Sequence, residues 1–133
     1  MYDELIQHAI HIMQRAYAPY SNFQVGAAIL CESGKIYSGC NVENAAYPVG
    51  SCAEAGAIST MIAGGDNRIK AIAVTGRGDA LCTPCGGCRQ RIREFANGDT
   101  PVLICDESGL RLQTTLEALL PHSFGPDNLH TTA

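Results

Sequence analysis

Two short cysteine-bearing segments, well separated along the chain, constrain the fold more than any other feature. The segments are Cys52-Ala53-Glu54 and Pro84-Cys85-Gly86-Gly87-Cys88. Three protein ligands leave the fourth position of a tetrahedral zinc ion open to water or substrate, which is the arrangement of catalytic zinc sites. If the cysteines share one ion, the fold must bring both segments to the same edge of the molecule.

Glu54 lies two residues after Cys52, close enough in the chain to reach the same site. Zinc lowers the pKa of a bound water from about 15.7 to about 7. A carboxylate that lies near this water without binding the ion can move protons to and from a substrate. We therefore predict Cys52, Cys85 and Cys88 as zinc ligands and Glu54 as the catalytic acid–base.

Both segments look like helix starts. Pro48, Gly50 and Ser51 interrupt the chain before an alanine-rich run, which predicts a helix that opens near Ser51. Thr83 followed by Pro84 offers an N-cap and a first helical residue, which predicts a second helix from Cys85. The partial positive charge of helix N-termini stabilises thiolates.

The same residues allow other interpretations. Ser51-x-x-Glu54 is also a capping box, in which Glu54 only ties the helix start. Cys82 could complete a closed, structural four-cysteine zinc site, although Glu54 would then have no role. An iron–sulfur cluster of the ferredoxin type is disfavoured, because Ile92 stands where that motif needs its next cysteine. Disulfides are also disfavoured, because seven cysteines is an odd count.

Composition narrows the class of protein. The length of 133 residues and an apolar content of 46% fit one domain with a real core, over residues 1–133. The net charge of −4 argues against a nucleic-acid partner. No apolar run approaches the roughly 18 residues that a membrane span needs, and the first residues lack the basic region of a secretion signal. Reduced cysteines and metal use indicate the cytoplasm.

The hydrophobic pattern predicts helices that alternate with strands. Predicted helices cover 3–17, 53–63, 85–95 and 115–120, and predicted strands cover 25–31, 35–40, 69–75, 101–105 and 110–113. This order is typical of an α/β fold in three layers, α/β/α, with helices on both faces of one mixed, five-stranded sheet. Ligands in such folds bind near the carboxyl ends of strands, where both cysteine segments fall.

Four motifs between Pro19 and Phe124 together resemble the small, zinc-dependent cytidine deaminases that form homotetramers. The motifs are Pro19-Tyr20-Ser21-Asn22-Phe23-x-Val25-Gly26-Ala27-Ala28, Gly39-Cys40-Asn41-Val42-Glu43-Asn44-Ala45, Cys52-Ala53-Glu54 and Pro84-Cys85-Gly86-x-Cys88-Arg89-Gln90. The resemblance implies a cytidine-deaminase-like domain with one zinc ion per chain. It also implies hydrolytic deamination of cytidine and 2′-deoxycytidine to the uridines, in pyrimidine salvage.

The resemblance further implies which side chains meet the nucleoside. Asn41 and Glu43 match the pair of residues that hydrogen-bonds the ribose in family members. Phe23 matches an aromatic residue that packs on the base there. Backbone groups at the positions of Ala53 and Thr83 contact the base and the leaving amine. Residues lent by neighbouring subunits complete each site, and Ala45, Tyr47 and Phe124 match those positions.

One departure from the family concerns electric charge. Many tetrameric members carry an arginine two residues after the catalytic glutamate, where it offsets the charge of the thiolates. Gly56 occupies that position here. Three thiolates and Zn²⁺ sum to a formal charge of −1, so another cation is expected. Arg89 and Arg91 are the candidates, and we predict Arg89.

Alternative functions remain open at this stage. A modified cytosine nucleoside, or a nucleoside antibiotic of the blasticidin type, could fit the same zinc centre. A non-catalytic zinc module with Cys82 as fourth ligand is a possibility of a different class. Action on RNA or DNA is disfavoured by the acidic composition.

Overall fold

A single mixed sheet organises the chain, whose computed structural model describes residues 2–129. The strands are β1 (Val25–Cys31), β2 (Ile36–Cys40), β3 (Ile69–Gly76), β4 (Pro101–Asp106) and β5 (Gly109–Thr115). They lie in the order β2-β1-β3-β4-β5. The predicted five-stranded mixed sheet is therefore confirmed.

The helices are α1 (Asp3–Met13), α2 (Ala53–Ala63), α3 (Gly86–Arg93), α4 (Leu116–Leu119) and α5 (Pro126–Leu129), with a 3₁₀ turn at Tyr47–Val49. No helix among residues 2–129 combines the length and apolar content that crossing a bilayer requires. The predicted domain, 1–133, extends at both ends beyond the described residues.

Strand pairing explains why the two cysteine segments meet. All neighbouring strands pair antiparallel except β3 and β4, which are parallel. Parallel neighbours need a crossover connection, and α3 lies in the crossover between β3 and β4. Helix α2 comes before β3 in the chain, and α3 comes after it. The start of α2 and the start of α3 therefore lie close together.

The sheet separates two apolar layers, which confirms the predicted α/β/α architecture. Ala27, Ile29 and Cys31 of β1 pack with residues of α2 and α3, whereas Ala28 packs with residues of α1. This split follows the two-residue period of a strand, in which successive side chains point to opposite faces. Helix α1 covers one face, and α2, α3 and α4 cover the other.

Two glycines let helices lie directly on the sheet. A Cβ atom on Gly39 of β2 would lie 2.6 Å from the Gly56 carbonyl carbon and 2.8 Å from the Ala53 carbonyl oxygen, both in α2. A Cβ atom on Gly26 of β1 would meet Met13 of α1 at 2.8 Å from its backbone nitrogen. Only glycine allows such backbone contacts. Gly39 therefore fixes the height of α2, which carries Glu54, above the sheet.

Two predicted helix ends are wrong. Helix α1 ends at Met13 and not at residue 17, because the Tyr17 backbone N–H donates to the Asn41 carbonyl and draws the chain into a bridge beside Val42. Helix α3 begins at Gly86 with Cys85 as its N-cap, so Thr83 and Pro84 precede the helix and do not cap it.

Candidate active site

The three predicted ligand thiols lie together. The Sγ atoms of Cys52, Cys85 and Cys88 are all within 4.8 Å of one another. Zinc–sulfur bonds of about 2.3 Å in tetrahedral geometry would place the sulfurs about 3.8 Å apart. The thiols are therefore close enough together to hold one zinc ion. Among residues 2–129, Cys82 is not part of this group, which weighs against the closed four-cysteine site.

Helix starts position all three sulfurs. Cys52 is the N-cap of α2 and Cys85 is the N-cap of α3, and neither makes a side-chain capping hydrogen bond. Cys88 lies in the first turn of α3 and is buried. The N-cap of α2 is thus Cys52 and not Ser51, so the capping-box interpretation does not describe this helix start.

The thiols experience opposing influences. The backbone N–H of Cys88 donates to the Cys85 sulfur and lowers the pKa of that thiol. Burial raises the pKa of Cys52 and of Cys88 above the ordinary value. Zinc binds thiolates and displaces their protons, so a bound ion would offset the cost of burying these sulfurs.

Glu54 is buried beside the thiols, with 4% of its surface exposed. Burial raises its pKa, while its own backbone N–H, Arg91 and the Cys88 thiol act in the opposite direction. A carboxyl with a raised pKa both accepts and returns a proton more readily near neutral pH. The position and environment of Glu54 suit a proton shuttle.

Arg89, which we predict to offset the charge of the thiolates, uses its guanidinium for three other contacts. Its Nε donates to the Pro84 carbonyl at 2.7 Å, its Nη1 to the Leu119 carbonyl at 2.7 Å, and its Nη2 to Thr83 Oγ1 at 3.3 Å. The guanidinium of Arg89 therefore links the loop before α3 to the end of α4.

Arg91 is the guanidinium that reaches a ligand. Its Nη1 lies 3.9 Å from Cys88 Sγ. Positions three residues apart share one face of a helix, and this spacing is the signal that would have singled out Arg91 from the sequence.

A cleft of about 490 Å³ opens beside Cys52, one of the three predicted ligands. Its lining includes two of the predicted ribose contacts, one ligand and three neighbours: Asn41, Glu43, Cys52, Tyr20, Ser21 and Tyr47. The rings of Tyr20 and Tyr47 meet edge to face, with centroids 6.0 Å apart. A volume of this size accommodates a small organic ligand.

Asn41 and Glu43 tie the loop between α1 and β1 to the cleft. Asn41 Oδ1 accepts from the Val25 N–H at 2.8 Å, and its Nδ2 donates to the Phe23 carbonyl at 2.9 Å. Glu43 accepts hydrogen bonds from the backbone of Tyr20 and Ser21 and from the Ser21 hydroxyl. Sequence reasoning gave Ser21 no role, although it stands within a quoted motif.

The remaining predicted contacts lie at different places around this cleft. Ala53 is buried at the start of α2. The rings of Phe23 and Tyr47 are 42% and 75% exposed, and Phe124 in the chain's last part is 59% exposed. Thr83 receives the Arg89 hydrogen bond, and Ala45 is exposed in the loop before the 3₁₀ turn. The residues that line the cleft in this single chain do not include Phe23, Ala45, Ala53, Thr83 and Phe124.

Comparisons with known proteins agree with this geometry. Residues 1–104 match the family model described as the cytidine and deoxycytidylate deaminase zinc-binding region, which confirms the zinc prediction. A cytidine deaminase of Sporosarcina psychrophila is 42% identical over 131 residues, which cover 98% of this chain and 96% of that protein. A cytidine deaminase of Mycobacterium tuberculosis is 43% identical over 115 residues, covering 86% of this chain and 82% of that protein.

Solved structures share the fold. The crystal structure of cytidine deaminase from Burkholderia pseudomallei superposes with a TM-score of 0.86 at 39% identity, covering 93% of this chain and 99% of that one. The Mycobacterium tuberculosis enzyme superposes with a TM-score of 0.78 at 35% identity, covering 93% and 97% of the two chains.

Proposed function

The chain belongs to the cytidine and deoxycytidylate deaminase family, and we propose that it deaminates cytidine and 2′-deoxycytidine to uridine and 2′-deoxyuridine. It is a zinc-dependent hydrolase. The observation that carries the proposal is the convergence of the Cys52, Cys85 and Cys88 thiols beside the buried carboxyl of Glu54, at the edge of a cleft that fits a small ligand.

The reaction adds water at C4 of the pyrimidine and expels ammonia. Zinc held by Cys52, Cys85 and Cys88 supplies a Lewis acid that makes water acidic enough to react at neutral pH. Glu54 takes a proton from the attacking water and gives it to the ring nitrogen. The C4–O bond forms in this step. Glu54 then takes the remaining proton from the new C4 hydroxyl and gives it to the amine, which leaves as ammonia as the C4–N bond breaks. Asn41 and Glu43 hold the sugar, and Phe23 packs on the base.

Arg91 takes the charge-offset role that the sequence predicted for Arg89. Its contact with Cys88 Sγ places a guanidinium beside the most buried ligand. A cation at this distance offsets part of the negative charge of a three-thiolate centre. Helix α2 supplies no such cation at the position of Gly56.

Neighbouring copies complete the site in a homotetramer, with Ala45, Tyr47 and Phe124 lent across subunits and Thr83 and Ala53 contacting the base from within. The exposure of the Tyr47 and Phe124 rings supports this assembly. Large exposed aromatic side chains mark protein interfaces.

Residues 1–133 make up one catalytic domain that works in pyrimidine salvage in the cytoplasm. All seven cysteines are free thiols, which fits a reducing compartment.

The first test compares wild type with Glu54→Gln, each loaded with zinc. We expect loss of the cytidine ultraviolet band only with wild type. We also expect kcat to be about 10²–10⁴-fold lower in the variant, which is the usual contribution of positioned proton transfer. Zinc content should remain one ion per chain in both proteins. A wild type that holds zinc but leaves cytidine unchanged would move the substrate assignment to a modified nucleoside.

A further inference from the structure

Residues of one loop occupy most of the hydrogen-bond acceptor positions of the Glu43 carboxylate. The backbone N–H groups of Tyr20 and Ser21 donate to Oε1 at 3.0 and 3.1 Å, and the Ser21 hydroxyl donates to Oε2. An ionised carboxylate offers about four acceptor positions. Three are occupied here, so about one remains for a ligand, and it lies on the oxygen that Ser21 holds.

The Ser21 hydroxyl makes a second hydrogen bond, with the backbone of Phe23, the predicted base contact. Its Oγ accepts the Phe23 backbone N–H at 3.0 Å. Asn22 lies between these residues in the left-handed region, with φ of 57°, a conformation that asparagine tolerates. One hydroxyl thus joins the carboxylate to the backbone that carries the Phe23 ring.

The carboxylate is also kept ionised. The Ser21 hydroxyl is the largest of the influences that lower the pKa of Glu43. An ionised acceptor forms a stronger hydrogen bond than a neutral one. Ser21, Glu43 and Asn41 all line the cleft, so a sugar hydroxyl placed there would meet an oriented acceptor.

We propose that Ser21 is a positioning residue that aims Glu43 Oε2 at a sugar hydroxyl and thereby sets the preference for hydroxylated nucleosides. This inference rests on the proposed function. Without Ser21 the carboxylate keeps only its two backbone partners on Oε1, and Oε2 can turn away from the ligand.

Binding measurements separate this role from the reaction. Titration calorimetry on zinc-loaded protein would compare uridine with 2′,3′-dideoxyuridine, which lacks both sugar hydroxyls of the ring. Ser21→Ala should weaken uridine binding about tenfold, as the loss of one charge-assisted hydrogen bond does. Binding of 2′,3′-dideoxyuridine should change less than about twofold.

Two further variants control for loop damage. Ser21→Thr keeps the hydroxyl and should retain uridine binding. Ser33→Ala removes a similar hydroxyl, which accepts from the Lys35 N–H at 3.3 Å in the hairpin turn, and should leave both affinities unchanged. In a Glu43→Gln background, Ser21→Ala should cause little further loss for uridine, since its partner is already altered.

Three outcomes would overturn the inference. They are an equal loss for both ligands in Ser21→Ala, no loss for either, and a wild type that does not distinguish the two ligands. The proposed reaction is judged separately by cytidine turnover in wild type. Discrimination between the ligands without turnover would retain the role of Ser21 and reject the reaction.

Discussion

At the scale of single residues, the charge around the thiolates depends on one arginine. Arg91 lies one helical turn beyond Cys88 and contacts its sulfur, while Arg89 is engaged by three oxygen acceptors. Because Arg91 is itself exposed, water and salt screen part of its effect.

We predict that Arg91→Gln releases zinc to a chelator about tenfold faster than wild type does at low salt, since the thiolates lose their cation. Arg91→Lys should restore most of the difference, because it keeps the charge. A chelator with an absorbing zinc complex measures the rate directly.

Arg111→Gln is the matched control for this measurement. Arg111 pairs with Asp106 at 3.6 Å on β4 and β5, so its loss should not alter zinc release. An unchanged release rate in Arg91→Gln across all salt concentrations would contradict the assignment.

Residue type and spacing predicted a shared site, and the structure brings Cys52, Cys85 and Cys88 together with Glu54 beside Cys88. The prediction of Arg89 overlooked that Arg91, three residues after Cys88, shares the face of α3 that carries this ligand. Sequence reasoning also missed Ser21, because a hydroxyl in a loop acquires a role only through its partner, Glu43.

At the scale of elements, the contact between β2 and α2 sets the position of Glu54. Gly39 and Gly56 face each other across this contact. The two glycines differ in the space around them: a Cβ atom on Gly56 would lie 3.6 Å from the Cys40 carbonyl oxygen, which is an ordinary contact.

We predict opposite effects for alanine at these two positions. Gly39→Ala should lower the free energy of unfolding by about 3 kcal/mol, because its Cβ would collide with the backbone of α2. Gly56→Ala should raise it by about 0.5–1 kcal/mol, because alanine is the better helix former and fits. Urea denaturation measures both, and similar losses for the two variants would show that the contact is looser than described.

The order of elements was predictable because each has a clear hydrophobic period and breaking residues around it. The helix boundaries were harder to predict from the sequence. Helix α1 stops at Met13 because Tyr17 hydrogen-bonds to Asn41, a contact between residues distant in sequence. Helix α5 lies in a tail that reads as turn-forming, and α3 pins this tail through Arg93 to Ser123 at 2.9 Å.

At the scale of the whole molecule, the last part of the chain presents an aromatic ring to the outside. Gln90 Nε2 donates to the Phe124 carbonyl at 2.8 Å, and Arg93 pairs with Asp127 at 2.8 Å. Both anchors belong to α3, the helix that carries Cys88. The element that holds the metal therefore also holds the exposed Phe124 ring in place.

We predict that Phe124→Ala lowers kcat/KM for cytidine at least tenfold, because the proposed tetramer places this ring at a neighbouring subunit's site. Leu110→Ala serves as control, since Leu110 is 48% exposed on β5, an edge strand. Light scattering should report about four chains for wild type. A fully active monomer would contradict the shared site.

The placement of the thiols at the starts of two helices has a consequence for how the chain becomes ordered. An ion shared by Cys52 and Cys85 closes a loop of the chain that contains all of β3. Such a closure removes many conformations from the unordered chain, much as a covalent cross-link does. Zinc binding and folding are then linked, because an ion that binds the folded chain adds to its stability as the free zinc concentration rises.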